Sequence, residues 1–397
     1  MIKLCEKEKC TACAACQNIC PKGAISFVEN KEGFVYPAIE EKICVRCGAC
    51  QKVCPQFGEN TRKEFANTEC YVVWARNDLL REKSSSGGIF AATAKWILDN
   101  KGVVFGAAFD EGCYTVSHIM IDNIDELSRL QGSKYVQSDI GNSYKQCKTE
   151  LQAGRKVLFS GTPCQIDGLH HFLKKQYANL FTIDILCHGV PSQKILLSYI
   201  EDIEKRYKSK VDAFEFRDKN TYKGWENSCH TRITFQSGKV ITSDSEASLF
   251  WNSFLSNIYL RESCYQCAYA GKQRVGDITI GDFWGIKDLP TEIKFKGVSF
   301  VLVNTQNGKM LFDKAEVDFE KRKISDAIGK NRTLQTSFPK GQNRELFFNT
   351  LWKSGFKKAV YKSIPKQMFR NNIFIFTHKV LGDKAYKKLR QILMKNQ

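Results

Sequence analysis

Apolar runs along this chain are short and are separated by polar, glycine-rich joints. Between residues 70 and 186 they fall at 70–75, 103–109, 116–121, 156–159 and 180–186. Runs of this length, rich in Val, Ile and Phe and bounded by turn residues, read as strands. Helical periodicity fills several of the gaps, over 89–100, 125–130 and 140–153. Further on, 211–217, 230–235 and 239–242 read as antiparallel pieces, with Gln236-Ser237-Gly238 as a turn. A helix over 247–258, strands near 276–285 and 297–304 and a helix near 309–315 close the body. The mixture predicts an α+β protein of mixed α/β character, built on a mixed sheet.

Domain boundaries follow the same pattern. Residues 1–58 form a small module with a hairpin-like piece (24–27, then 33–37) between two cysteine runs. Residues 59–69 are polar and read as a linker, 70–325 as the body, and 326–397 as a basic, partly helical tail. A length of 397 residues allows two or three domains, and 43% hydrophobic with 26% charged residues is ordinary for a globular protein. No apolar run approaches the ~18 residues of a membrane-spanning helix.

The net charge of +18 is concentrated at the end: residues 350–397 hold twelve Lys or Arg against the single acid Asp383. There Tyr386, Leu389, Ile392 and Leu393 fall on one helical face, opposite a cationic one. Peripheral contact with an anionic membrane or an acidic redox partner is expected of such a helix, and packing on the body is the alternative. Nucleic acid is disfavoured, since no recognised binding motif accompanies the charge.

The candidate chemistry is carried by cysteine. Cys10, Cys13, Cys16, Cys20-Pro21 and Cys44, Cys47, Cys50, Cys54-Pro55 both read C-x2-C-x2-C-x3-C-P. This run holds 4Fe–4S clusters in bacterial ferredoxins, with the fourth Cys of each run ligating the other cluster. One cluster is therefore expected on Cys10, Cys13, Cys16 and Cys54, and a second on Cys44, Cys47, Cys50 and Cys20. Zinc sites, which favour two C-x2-C pairs far apart, fit this repeat poorly. Seventeen Cys grouped at metal spacings, behind a start too short for an export signal, point to a reducing, cytoplasmic setting.

Three strand-to-loop junctions in the body carry further candidates. Ser84-Ser85-Ser86-Gly87-Gly88 runs from a strand into a helix, an arrangement that suits an anion or serves simply as a cap. Gly161-Thr162-Pro163-Cys164 forms a strand-to-helix elbow, and the next strand ends at Cys187-His188. With Cys264 and Cys267, these cysteines form a second constellation that reads as a third cubane, a zinc site or buried structural thiols. His188 is the candidate catalytic residue, as a proton relay or through hydrogen bonding beside Cys187. Cys5, Cys70, Cys113, Cys147 and Cys229 have no metal-like spacing and read as ordinary thiols.

Six segments in order, at 84–90, 132–138, 159–169, 184–192, 264–270 and 274–285, resemble the beta subunit family of coenzyme F-420 (deazaflavin) hydrogenases and dehydrogenases. The resemblance covers about residues 70–320, and the module in front is similar to the fused dicluster ferredoxin of some members. It implies a third 4Fe–4S cluster on Cys164, Cys187, Cys264 and Cys267, and FAD near Ser86, Gly87, Gly88, Lys134, Tyr135, Thr162 and Pro163. The implied function is an iron–sulfur flavoprotein oxidoreductase. Electrons pass between a hydride-carrying coenzyme or small-molecule substrate, FAD and the clusters, to or from a ferredoxin or redox partner subunit. The alternatives are a non-catalytic electron-transfer subunit of a larger redox complex, or a reductase of a polysaccharide-pathway or tetrapyrrole substrate.

Overall fold

The computed structural model describes residues 2–57, 68–219, 224–227, 231–242, 247, 249–373 and 377. Most of the expected linker, Cys229 and the amphipathic stretch around residues 384–393 lie outside the described residues.

The N-terminal module contains the antiparallel hairpin β1 (Ile25–Glu29) and β2 (Val35–Ile39), with Ile25 opposite Ile39. The body is organised by an eight-stranded sheet formed by β3 (Glu69–Ala75), β4 (Val103–Phe109), β5 (Val116–Ile121), β6 (Val157–Gly161), β7 (Leu180–Ile185), β11 (Ile278–Asp282), β12 (Ser299–Val303) and β13 (Val317–Arg322). A second sheet joins β8 (Val211–Glu215), β9 (Arg232–Phe235) and β10 (Val240–Thr242). The large sheet runs β13-β3-β12-β11-β7-β6-β4-β5. Its centre, β11-β7-β6-β4, is parallel, and both flanks are antiparallel. The expected mixed sheet is therefore present.

Side chains alternate across the sheet, so each strand feeds two cores. Leu158 and Val104 face the helices Ile89–Asp99 and Gln306–Lys314. Val157, Phe159, Val103 and Phe105 face the helices Ser143–Gln152 and Pro163–Leu173. Cys13, Ala14, Ala15 and Val53 of the module belong to this second core. Phe34 and Tyr36 join a third, formed by the small sheet and its helices. The module is thus built into the body.

A long helix and an edge strand are among the elements that went unforeseen. The helix Gln193–Tyr207 buries Ile195, Leu196, Tyr199, Ile200 and Ile203, a helical spacing visible in the sequence. Strand β13 exposes most of its residues, so no apolar alternation marks it. The expected tail divides. The helices Arg344–Ser354 and Phe356–Ser363 bury Phe347, Phe348, Leu351, Phe356, Ala359 and Val360 in the third core. Their lysines line the outer side of a structural helix pair. No helix among the described residues is long and apolar enough to cross a membrane.

Candidate redox site

Cys164 and Cys187 owe their proximity to topology. β6 and β7 are parallel neighbours, so their C-terminal ends open at the same edge. At the end of β6, Thr162 caps the helix Pro163–Leu173: Gln165 Oε1 accepts from the Thr162 backbone N–H (3.0 Å). The Thr162 hydroxyl also lies 3.0 Å from Gln165 Oε1 and 3.1 Å from Cys164 Sγ. Behind it, Gln165 Nε2 donates to the Ser138 hydroxyl (3.0 Å), which bonds His118 Nδ1 (2.9 Å). His118 Nε2 donates to the Ser160 carbonyl (2.9 Å). Burial pushes His118 down to about 4, so the ring is neutral.

The C-x2-C loop is brought to the same edge by buried ionic ties. Asp184 on β7, fully buried, accepts from Arg274 (2.9 Å) and from the backbone N–H groups of Val275 and Gly276. Arg274 also donates to the Tyr269 carbonyl, while the Tyr269 hydroxyl donates to Asp167 on the Pro163–Leu173 helix (2.7 Å). The segment just past Cys264 and Cys267 is thereby clamped over the ends of β6 and β7. All four cysteines line one cavity, and Cys187 lies in the field of Cys264, Cys164 and Cys267. Burial pushes Cys164 up to about 11 and Cys264 up to about 12, so these thiols ionise only when a metal takes the proton's place.

In the module, Cys10, Cys13, Cys16 and Cys54 line a small cavity of about 20 Å³ together with Cys5 and Cys50, and Cys50 also lies in the field of Cys20 and Cys44. Among the described residues no contact places exposed Cys47. Cys5, expected to be an ordinary thiol, donates to the Glu6 carbonyl (3.4 Å) and borders the same small cavity. Among the described residues no three His, Cys, Asp or Glu side chains converge closely enough to grip a single ion. A cubane needs no such convergence, because its four thiolates bind separate irons. Cys13 packs against Gly168 of the Pro163–Leu173 helix, so the module's first loop is seated on the helix that carries Cys164.

A cavity of about 730 Å³ opens above this junction, within the range of small-molecule and cofactor sites. Its wall includes Ser86, Gly88, Lys134, Tyr135, Thr162 and Pro163 of the expected FAD set, together with the four body cysteines and His188. Gly87 stands behind the wall: a Cβ there would meet the Val73 carbonyl at 2.3 Å, and its N–H donates to Ser299 Oγ. Ser86 Oγ donates to the Val298 carbonyl, so it too is used internally. Lys134, expected to face a pyrophosphate, donates to the carbonyls of Arg129 and Gln131, and burial pushes it down to about 7. Tyr135 sits edge-on to Trp251 and its hydroxyl accepts from Arg217. His188 Nε2 bonds Asn257 Oδ1 (2.6 Å) and its ring stacks on Phe338. Burial pushes His188 down to about 4.

Sequence reasoning missed the opposite wall. Arg217 pairs with Asp282 (2.9 Å) and lies over Trp284, which stacks on Trp225; Trp225 Nε1 donates to Asp282 (2.7 Å). The run Gly281-Asp282-Phe283-Trp284-Gly285 was visible, but nothing in the sequence assigned it to this wall.

Comparison with known proteins supports both halves of this architecture. Residues 154–327 match the family that describes the C terminus of the coenzyme F420 hydrogenase/dehydrogenase beta subunit, and residues 9–57 match the 4Fe-4S dicluster domain. The chain is 24% identical over 193 residues to the coenzyme F420-dependent sulfite reductase of Methanocaldococcus jannaschii. That match takes in 48% of this chain and spans only 29% of the relative's length. A chain of the F420-reducing NiFe hydrogenase complex from Methanosarcina barkeri aligns with 81% of this chain and 95% of its own, at 17% identity and a TM-score of 0.44. Residues 154–327 thus carry the C-terminal region typical of the coenzyme F420 hydrogenase/dehydrogenase beta subunit, set behind a 4Fe–4S dicluster domain that makes the chain an iron–sulfur protein.

Proposed function

We propose that this chain is an FAD-dependent iron–sulfur oxidoreductase. It passes electrons between a hydride-carrying coenzyme or small-molecule substrate in the cavity and a ferredoxin-type protein or partner subunit at the module. Cys164 carries the reading: it lines the cavity and stands on the Pro163–Leu173 helix, against which Cys13 of the module packs at Gly168. A third 4Fe–4S cluster on Cys164, Cys187, Cys264 and Cys267 continues the path into the two module clusters.

For FAD, the N-terminus of the Ile89–Asp99 helix opens on the cavity at Gly88, Ile89 and Phe90, and Arg217, Lys330 and Arg332 supply positive charge. FAD held there would supply the conversion between electron pairs from a hydride carrier and the single electrons that the clusters accept. Tyr135 and Trp284 wall the ring site, while Lys134 and Gly87 support the loops behind it. His188, neutral and with Nε2 committed to Asn257, offers Nδ1 as a hydrogen-bond acceptor.

Anaerobic purification with iron, sulfide and flavin quantification tests the reading. About twelve irons per chain and about one FAD are expected, on four irons per cubane. About eight irons removes the body cluster, and absent flavin removes the FAD assignment. Turnover of the reconstituted chain with an artificial donor separates an enzyme from an electron-transfer subunit whose chemistry lies elsewhere.

A further inference from the structure

Arg261 is 1% exposed and stands directly before the Glu262–Tyr265 helix that carries Cys264. Its Nε donates to the Cys10 carbonyl (2.8 Å), one terminal nitrogen to Gln137 Oε1 (3.0 Å) and the other to the Val35 carbonyl (2.9 Å). The Tyr36 ring lies 4.4 Å from the guanidinium carbon. Every one of these partners is neutral. Other deeply buried arginines have a carboxylate: Arg274 pairs with Asp184, Arg217 with Asp282 and Arg344 with Glu32. Arg81 bonds carbonyls, but Asp78 and Asp318 lie within reach of its charge. Among the described residues no carboxylate forms an ion pair with Arg261.

A buried charge without a countercharge costs several kcal/mol. Besides the Tyr36 ring, Arg261 holds the Cys10 loop of the module through its Nε, caps the short helix that carries Cys264, and lines one cavity with Cys164 and Cys264. A cubane on four thiolates is a net anion and becomes more negative on reduction. A fixed cation beside it therefore favours the reduced form, one of the means by which proteins set cluster potentials.

We propose that Arg261 is the electrostatic bridge between the body cluster and the proximal module cluster, a positioning residue that draws its countercharge from both thiolate sets and raises the reduction potential of both. This rests on the three-cluster reading above. Each cluster takes one electron, from dithionite in the test, and no bond or proton moves. The distal set, Cys20, Cys44, Cys47 and Cys50, has no contact with Arg261 and serves as the internal reference. The same guanidinium ties the Cys10 loop and β2 to the body, so the element that docks the module also tunes the junction.

The test is a dithionite titration of anaerobically purified protein followed by electron paramagnetic resonance, on wild type, Arg261→Lys and Arg261→Gln. In Arg261→Gln the reduction equilibrium of the body and proximal clusters should fall about tenfold or more, 59 mV for a one-electron couple. The distal cluster should not move. Arg261→Lys, which keeps the charge, should retain its iron and hold both potentials near wild type even if Arg261→Gln fails to assemble. Unmoved potentials in a fully loaded Arg261→Gln protein overturn the proposal. So does a loaded Arg261→Lys protein whose two potentials drop as far, or the loss of iron from both variants, since charge would then not be the property that matters. Wild-type protein with about eight irons overturns the three-cluster reading along with it, whereas about twelve irons with unmoved potentials overturns the role of Arg261 alone.

Discussion

The two cysteine runs of the module have the same spacing and the same local backbone, yet they occupy opposite environments. Ala12 and Arg46, at matching places, both adopt left-handed φ values, 50° and 53°; so do Ala14 and Gly48, at 63° and 72°. Wrapping three thiolates around one cubane imposes this backbone, and Ala accepts its strain in the first loop. The surroundings then diverge. Cys10 and Cys13 are 7% and 9% exposed, whereas Ile43 and Val45 beside the second run are 48% and 56% exposed. The first loop is packed on the Pro163–Leu173 helix and bonded by Arg261, while the second faces outward. Spacing makes a cluster site; the body decides what that site is connected to.

The strongest way to break this asymmetry is to strike the clamp on the body side. Asp184→Ala leaves Arg274, 2% exposed, as an uncompensated buried charge. Removing one partner of such a pair costs about 3–5 kcal/mol. Chemical denaturation of anaerobic protein should show that loss, and iron content should fall through the body cluster first. The distal cluster should survive in any protein that remains folded.

A steric substitution at the docking face is expected to have the next largest effect. A Cβ on Gly168 would lie 2.9 Å from both Cβ and Sγ of Cys13. Gly168→Ala gains about 1 kcal/mol of helix propensity, but overpacking here costs about 1–3 kcal/mol. The net effect should be destabilising, because Cys13 is held by its place in the proximal set and has little room to retreat. Loss of the proximal cluster's signal with an intact distal signal is the expected readout in a reduced sample.

The buried side also carries a proton-sensitive element that the exposed side lacks. His118, at about 4 when folded against about 6.5 when free, binds its proton more readily in the unfolded chain. Its contribution to stability is therefore present above pH ~6.5 and is lost as pH falls toward about 4, at about 1.4 kcal/mol per pH unit. His118→Gln should lose stability less steeply than wild type between pH 7 and 5.5. Equal slopes in urea unfolding would show that the ring does not titrate with folding.

These contrasts mark what was legible in the sequence. The module was, because its chemistry is local: eight ligands within forty-five positions state their own spacing. The strands at 103–109 and 116–121 were also legible to the residue, since apolar runs with turns on both sides have few readings. Their order in the sheet was not. β3 pairs with β12 and β13, more than two hundred residues away, and nothing local announces such a partner. Arg261 is the extreme case: two of its acceptors are backbone carbonyls, of Cys10 and Val35, and a carbonyl carries no residue identity that a sequence displays. Six of the seven residues of the expected FAD set line one cavity, but what each side chain bonds was not legible. Gly87 and Lys134 sit at the expected site but spend their polar groups on the protein, a division of labour that depends on where Ser299 and the Arg129 and Gln131 carbonyls fall. The packing of the lysine-rich stretch at 353–362 was not legible, because its apolar partners, on the Gln193–Tyr207 helix and the small sheet, come from elsewhere in the chain.

The smallest expected effect is the most direct check on the claim that the two loops share one backbone. Gly48 matches Ala14, and a Cβ at Gly48 would meet only Gln51 Oε1, at 4.0 Å. Gly48→Ala therefore adds no clash, only the left-handed strain of about 1–2 kcal/mol. Restricting the unfolded chain returns about 0.4–1 kcal/mol. The net cost should be about 1 kcal/mol or less, seen as a small drop in the unfolding midpoint, with iron content and all cluster signals unchanged. Gly168→Ala makes the same chemical change where a cysteine of the proximal set stands in the way. If the two substitutions cost the same, the contrast between the docked and the open loop fails. If Gly48→Ala is nearly silent while Gly168→Ala strips the proximal cluster, the difference between the loops lies in what surrounds them and not in how each is wound.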